Sequence, residues 1–286
     1  MEDRFYGGAG NSEARILVAG LGLIGGSAAK ALKNAGYGEL YGFDSDRSAI
    51  GSAVSEGVLL AGYSDISALP ESDLIICCLP PAAAVEFCRS AQSRLKDGAV
   101  FAEMGGIKSG VIDDMAAALE GNRELLSLHP MAGSEKSGYE HSDPELLRGS
   151  VLIFTPTKKT RISALVWASI LQKTLGCSDI RELSAKRHDE VIARVSHLPH
   201  IIALAIKAME GDGALQPFAG GSYKSATRVA GLSPALWTEL FWGNRDNILK
   251  GISQFKESLS KLEQALENGD ESSLNELIKE ISKDGE

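Results

Sequence analysis

The segment Arg15–Ser27, RILVAGLGLIGGS, constrains this chain more than any other. An apolar run leads into a turn with glycines at 20, 22, 25 and 26, and then into the helix-like stretch Ser27–Asn34. A strand that is apolar throughout has no face to offer water, so it belongs inside a sheet covered on both sides. The alternation recurs. Leu40–Asp44 reads as a second strand and Asp46–Glu56 as a second helix; Asp73–Leu79 (DLIICCL) is a third strand, with a helix from Pro81 to about Lys96. Ala99–Glu103 and Leu125–His129 read as two more strands, with the helical stretch Gly110–Leu119 between them. Such a pattern predicts an α/β fold with a Rossmann-type doubly wound parallel sheet.

Beyond Leu183 the pattern becomes helical throughout. Ala185–Met209, Pro217–Ala230 and Pro234–Leu266 read as helices, with breaks at 211–213, 220–221 and 231–234. Ile248, Ile252, Phe255, Leu259 and Leu262 form one apolar stripe at helical spacing, which must pack on neighbouring helices or on a second subunit. The expected division is a dinucleotide-binding domain over 1–182 and an all-helical domain over 183–286.

Charge narrows the function classes. Against 29 Lys+Arg stand 38 Asp+Glu, a formal net charge of −9. Clamping nucleic acid or an anionic membrane needs clustered cations, so neither is an expected partner. The longest apolar stretch, Leu74–Val85, is split by Pro80 and Pro81 and falls short of the roughly 18 residues that a spanning helix needs. The first residues, MEDRFYGGAGNSEAR, lack the pattern of a signal peptide and have no assigned role. The four cysteines include no CxxC pair and read as reduced and buried, which places the protein in the cytoplasm. His197 and His200 have the i, i+3 spacing of metal ligands, but no further ligand completes a site, so no metal is expected.

The glycine turn carries the first chemistry. Gly20, Gly22 and Gly25 follow a strand and open a helix, the arrangement that lets backbone approach a pyrophosphate at a helix N-terminus. Asp44 ends the second strand 24 residues after Gly20 (44 − 20), near the spacing at which a carboxylate meets the adenosine ribose. A carboxylate there repels a 2′-phosphate and favours NAD over NADP, with Arg47 the one nearby residue suited to that phosphate. His129 at the end of its strand faces the crevice where such sheets bind ligands, and its imidazole suits a general base for an alcohol losing hydride. Lys224 and Arg228, four apart on a helical stretch, can meet a carboxylate together.

GLGLIGGS, the loop HPMAGSEKSG, SHLPH and the segment GGSYKSATRVAGLSPALW together resemble the prephenate dehydrogenase (TyrA) family, from about Arg15 to beyond Trp237. The resemblance implies a Rossmann-type domain followed by a helical dimerisation domain, a homodimer through the C-terminal helices, and NAD-dependent oxidative decarboxylation of prephenate to 4-hydroxyphenylpyruvate in tyrosine biosynthesis. It implies that His129 is catalytic and bonds the ring hydroxyl, and that Arg228 binds a substrate carboxylate. Ser196, His200 and Lys224 fall at substrate-pocket positions, Glu135 at an acid that communicates with the arginine, and Trp237 at a pocket wall. The cofactor-binding set is then Gly20, Gly22, Leu23, Ile24, Gly25, Asp44, Leu79 and Gly105.

One departure stands out. In FAEMGGIK the family usually has a serine where Gly106 stands, a residue that helps orient the catalytic histidine; here Ser109 is the neighbouring hydroxyl. The length leaves no room for a fused chorismate mutase or ACT domain, so feedback by tyrosine would act at the active site. Two other readings remain open: arogenate as substrate, and a non-catalytic NAD-binding dimeric module.

Overall fold

The computed structural model describes residues 13–209, 213 and 216–283. Its first part is one eight-stranded sheet. The strands are β1 (Ile16–Ala19), β2 (Leu40–Phe43), β3 (Ala61–Tyr63), β4 (Ser72–Cys77), β5 (Leu95–Glu103), β6 (Glu124–Pro130), β7 (Val151–Thr155) and β8 (Asp179–Glu182). Their order is β3-β2-β1-β4-β5-β6-β7-β8, so the direction of winding reverses between β1 and β4. Every pairing is parallel except β6 with β7, where His129 lies opposite Ile153. The sheet is thus mostly parallel rather than wholly so, and three strands exceed the five expected.

Helices α1 (Leu23–Asn34), α2 (Arg47–Ser55), α3 (Pro81–Ala91), α4 (Val111–Ala118) and α5 (Ile162–Thr174) connect the strands. Two separate apolar clusters form. One joins Ile16, Val18, Leu32, Leu74 and Trp167, the other Leu17, Ile75, Phe87, Phe101 and Met115, so successive residues of β1 and β4 feed opposite faces of the sheet. All four cysteines are free; Cys77, Cys88 and Cys177 are buried and Cys78 half-buried.

The second part comprises α6 (Ala185–Ile192), α7 (Leu198–Ala208), α8 (Gly221–Thr227), α9 (Pro234–Gly243), α10 (Arg245–Glu267) and α11 (Glu271–Lys283). A π-helical segment, Ala193–His197, joins α6 to α7. The helix expected over Pro234–Leu266 is two, parted at Asn244, and α11 was not anticipated. The break expected at 211–213 lies largely outside the described residues. The continuous stretch Ala185–Ala208 is long and apolar enough, by length and composition, to cross a membrane, although only 22% of its apolar window is buried within the chain. No uninterrupted apolar run reveals it in the sequence, because Lys186, Arg187, Asp189, Glu190 and Arg194 punctuate its first half.

The two parts meet at the loop between β5 and α4. A Cβ on Gly243 would lie 2.7 Å from the Ile107 side chain, so α9 ends in close contact with that loop. Asp189 of α6 accepts the Lys108 and Ser109 amides at 3.0 and 2.8 Å. Glu239 of α9 accepts the Ala82 amide at the start of α3.

Candidate active site

The glycine turn sits where the sheet reverses. Gly20 has φ +86°, a conformation that side chains disfavour, and a Cβ there would lie 3.0 Å from the Cys78 carbonyl and 3.1 Å from Leu79. A Cβ on Gly25 would lie 1.8 Å from the Gly20 oxygen, so only glycine lets α1 start this close to the strand. Gly22 differs: nothing lies within 4 Å of its Cβ position, and the space beside it is open. The first N–H groups of a helix have no intrahelical partner, and Gly22 at the N-cap has no side chain to supply one. Leu23 and Ile24 form the half-buried first turn of α1.

Asp44 follows β2 and is tied to this turn. Its carboxylate accepts the Leu21 amide at 2.6 Å and the Asp46 amide at 2.8 Å. An open glycine cradle, an uncapped helix N-terminus and an acid beside them fit a dinucleotide with a free 2′-hydroxyl. Arg47 is the exposed first residue of α2. Gly105 donates its amide to Glu103 at 2.8 Å, just past the end of β5 and one residue before Gly106, which approaches His129.

His129 is the penultimate residue of β6 and half-buried. Its Nδ1 lies 2.8 Å from His188 Nε2, and His188 Nδ1 lies 2.7 Å from Asp189 Oδ1. His188 is completely buried and Asp189 nearly so. Burial works to raise the Asp189 carboxyl, but hydrogen bonds from His188, Ser109 and the Lys108 amide prevail and hold it below the ordinary carboxylate range. Beneath His129 the buried Lys108 ammonium donates to Glu103 and to the Leu128 carbonyl, the latter at 2.8 Å, while Ser127 also donates to Glu103. Burial, with Lys108, His188 and His197 nearby, holds His129 well below the usual imidazole range, so it is uncharged at neutral pH. A Cβ on Gly106 would lie 3.9 Å from His129 Nε2, so the Nε2 edge of the ring faces the space beside this glycine. Ser109 does not replace it: its amide and hydroxyl both serve Asp189.

The helical part contributes an aromatic wall and a guanidinium. His200 Nδ1 donates to the Ser196 carbonyl at 2.7 Å, and its ring stacks on Trp237 at 3.9 Å between centroids. Burial and the nearby Arg228 hold His200 below its ordinary value. His197, buried, meets the edges of Trp237 and Phe241, and burial beside His200 takes its pKa down to about 4. Arg228 bonds Glu135 at 3.1 Å, which ties the second domain to the loop that follows the His129 strand. Lys224 is exposed on α8, and Arg228 caps that helix in right-handed helical backbone at the start of a 3-10 turn. His188, Asp189, Lys108 and Glu103 were not foreseen; the adjacent His–Asp pair in RHDEV was the one local signal. Among the described residues no His/Cys/Asp/Glu group could hold a metal ion.

Comparison with known proteins identifies the arrangement. Residues 28–178 match the family described as "Prephenate dehydrogenase, nucleotide-binding domain", and residues 184–280 match "Prephenate dehydrogenase, dimerization domain". A cyclohexadienyl dehydrogenase of Zymomonas mobilis is 30% identical over 94% of each chain. A prephenate dehydrogenase of Bacillus subtilis is 32% identical over 91% of this chain and 72% of its own. The crystal structure of an Aquifex aeolicus prephenate dehydrogenase with hydroxyphenyl propionate and NAD+ superposes with a TM-score of 0.87, at 32% identity, over 96% of this chain and 98% of that one. A Synechocystis arogenate dehydrogenase structure gives 0.77 at 25% identity, over 94% and 98%. With both domains matched in order, the chain belongs to the prephenate dehydrogenase family.

Proposed function

We propose that this site converts prephenate to 4-hydroxyphenylpyruvate with NAD, the tyrosine-forming branch of aromatic amino acid synthesis, and that His129 is its general base. Gly20, Gly22, Leu23, Ile24, Gly25, Asp44, Leu79 and Gly105 would hold the dinucleotide. Bound NAD supplies the hydride acceptor, and loss of hydride and CO2 leaves an aromatic ring, which makes the reaction one-way. His129 takes the ring-hydroxyl proton at Nε2. Arg228 and Lys224 supply the local positive charge that a dianion needs in an acidic chain, with Glu135 holding Arg228 in place. Ser196, His200 and Trp237 form the wall beside the substrate side chain. One observation carries the reading: the bond to His188 occupies Nδ1 of His129 and leaves Nε2 facing the Gly106 space.

The arogenate reading is favoured by the cyclohexadienyl dehydrogenase and arogenate dehydrogenase relatives. A non-catalytic NAD-binding dimer would have no use for an uncharged histidine held at the carboxyl end of β6 by a buried His–Asp pair. NADH absorbance followed with prephenate and with arogenate side by side decides among the three. The expected result is turnover with a higher kcat/KM for prephenate; a higher value for arogenate reverses the substrate, and no turnover with either leaves the binding module.

The partner is a second copy of the chain, through the C-terminal helices. Support comes from the matched dimerisation domain and from the unburied apolar surface of Ala185–Ala208. Four free thiols suit the reducing cytoplasm.

A further inference from the structure

We propose that His188 and Asp189 are positioning residues that fix the tautomer of His129, and so make Nε2, rather than Nδ1, its basic atom. The proposal rests on the reading of His129 as the base. Asp189 is ionised and can only accept, so the 2.7 Å contact requires a proton on His188 Nδ1. A neutral imidazole with Nδ1–H carries a lone pair on Nε2. His188 Nε2 therefore accepts across 2.8 Å, and His129 must donate from Nδ1. The lone pair of His129 is left at Nε2, facing the space beside Gly106.

The chain of bonds is anchored at its far end. The Asp189 carboxylate accepts the Lys108 and Ser109 amides, and its carbonyl accepts Asn244 Nδ2 at 2.8 Å. These contacts lock α6 to the loop between β5 and α4, so the relay forms only when the helical domain is docked on the sheet domain. When His129 gains the substrate proton, its positive charge arises two hydrogen bonds from a buried carboxylate. That counterweight opposes Lys108 and the two neighbouring imidazoles, which disfavour it. The same logic orients the imidazole in Ser-His-Asp hydrolases, where a wrong tautomer is costly even with the geometry intact.

The test uses the full-length enzyme labelled with 15N at its five histidines, which reports the protonation of each ring nitrogen independently of turnover. Wild-type protein is expected to show His129 protonated at Nδ1 and bare at Nε2. One Asp189 oxygen accepts both His188 and the Lys108 amide, so Asp189→Asn cannot satisfy the relay and the loop as the carboxylate does, and kcat is expected to fall about 10²-fold or more. NAD affinity should hold within a factor of about 2, since the glycine turn and Asp44 are untouched. His188→Leu, which leaves the Asp189 anchor intact, should lower kcat similarly. His188→Gln, whose amide oxygen can still accept from Nδ1, should recover part of the loss. A His129 protonated at Nε2 in the wild type, or unchanged kcat in His188→Leu, overturns the proposal. The expected tautomers in an enzyme that turns over neither substrate would sink the dehydrogenase reading and leave the relay standing.

Discussion

At the scale of single residues the site divides into what is local in sequence and what is not. The glycine turn is legible because its chemistry lies in consecutive residues: Gly25 cannot carry a Cβ, and Asp44 reaches back to Leu21 from the next strand. The relay is not legible, because its members at 108, 129, 188 and 189 come from three elements that only the docked fold brings together. Gly106 brings no hydroxyl to His129, and the nearby Ser109 is spent on Asp189. Replacing His129 with Asn should lower kcat by about 10²-fold or more while NAD affinity, measured by fluorescence titration, stays near the wild-type value. Replacing Arg228 with Gln should act mainly on KM for substrate in steady-state kinetics, because a carboxylate contact is lost in ground and transition states alike. The Glu135 carboxylate would then lose its partner, at an exposed site where the cost to folding is small.

At the scale of elements, the strands buried on both faces were legible, and the ones at the margin were not. β3 has only three residues and β8 reads DIRE, with no apolar pattern, so both depend on their neighbours for existence. β7, VLIFT, is as apolar as any, but its antiparallel pairing with β6 breaks the strand–helix alternation that marked the others. In the helical part, continuity was overestimated at Asn244, where α9 stops and α10 begins. The Asn244 side chain is buried, donates to the Asp189 carbonyl and lies 3.3 Å from His197 Nδ1, so this break is held by specific bonds. Replacing Asn244 with Ala strips the buried His197 Nδ1 of this partner and leaves the Asp189 carbonyl only the Ala193 amide, and should cost about 1–3 kcal/mol, read as a lower midpoint in urea with an unchanged slope.

At the scale of the whole molecule, the neutral histidines packed around the domain junction make stability depend on acidity. His197 is held at about 4, and His129 and His188 are also lowered. A histidine lowered by folding binds its proton more readily in the unfolded chain, so its contribution is complete above the unfolded value near 6.5 and is lost as pH falls toward the folded value. For His197 alone this amounts to about 2 kcal/mol between pH 7 and pH 5. Urea unfolding at the two pH values should show that loss in the wild type and a smaller one in His197→Phe, whatever the variant's absolute stability. The overall architecture, a sheet domain followed by helices, was legible from patterning, whereas the docking that creates this acid sensitivity was not. The packing of the cysteines has a practical side. Cys78 lies directly behind the glycine turn, and burial pushes its thiol up to about 12, as it does that of Cys88. Almost none of either is thiolate near pH 7, so alkylating reagents and slow air oxidation find little to attack, and the nucleotide cradle should survive storage without a reducing agent.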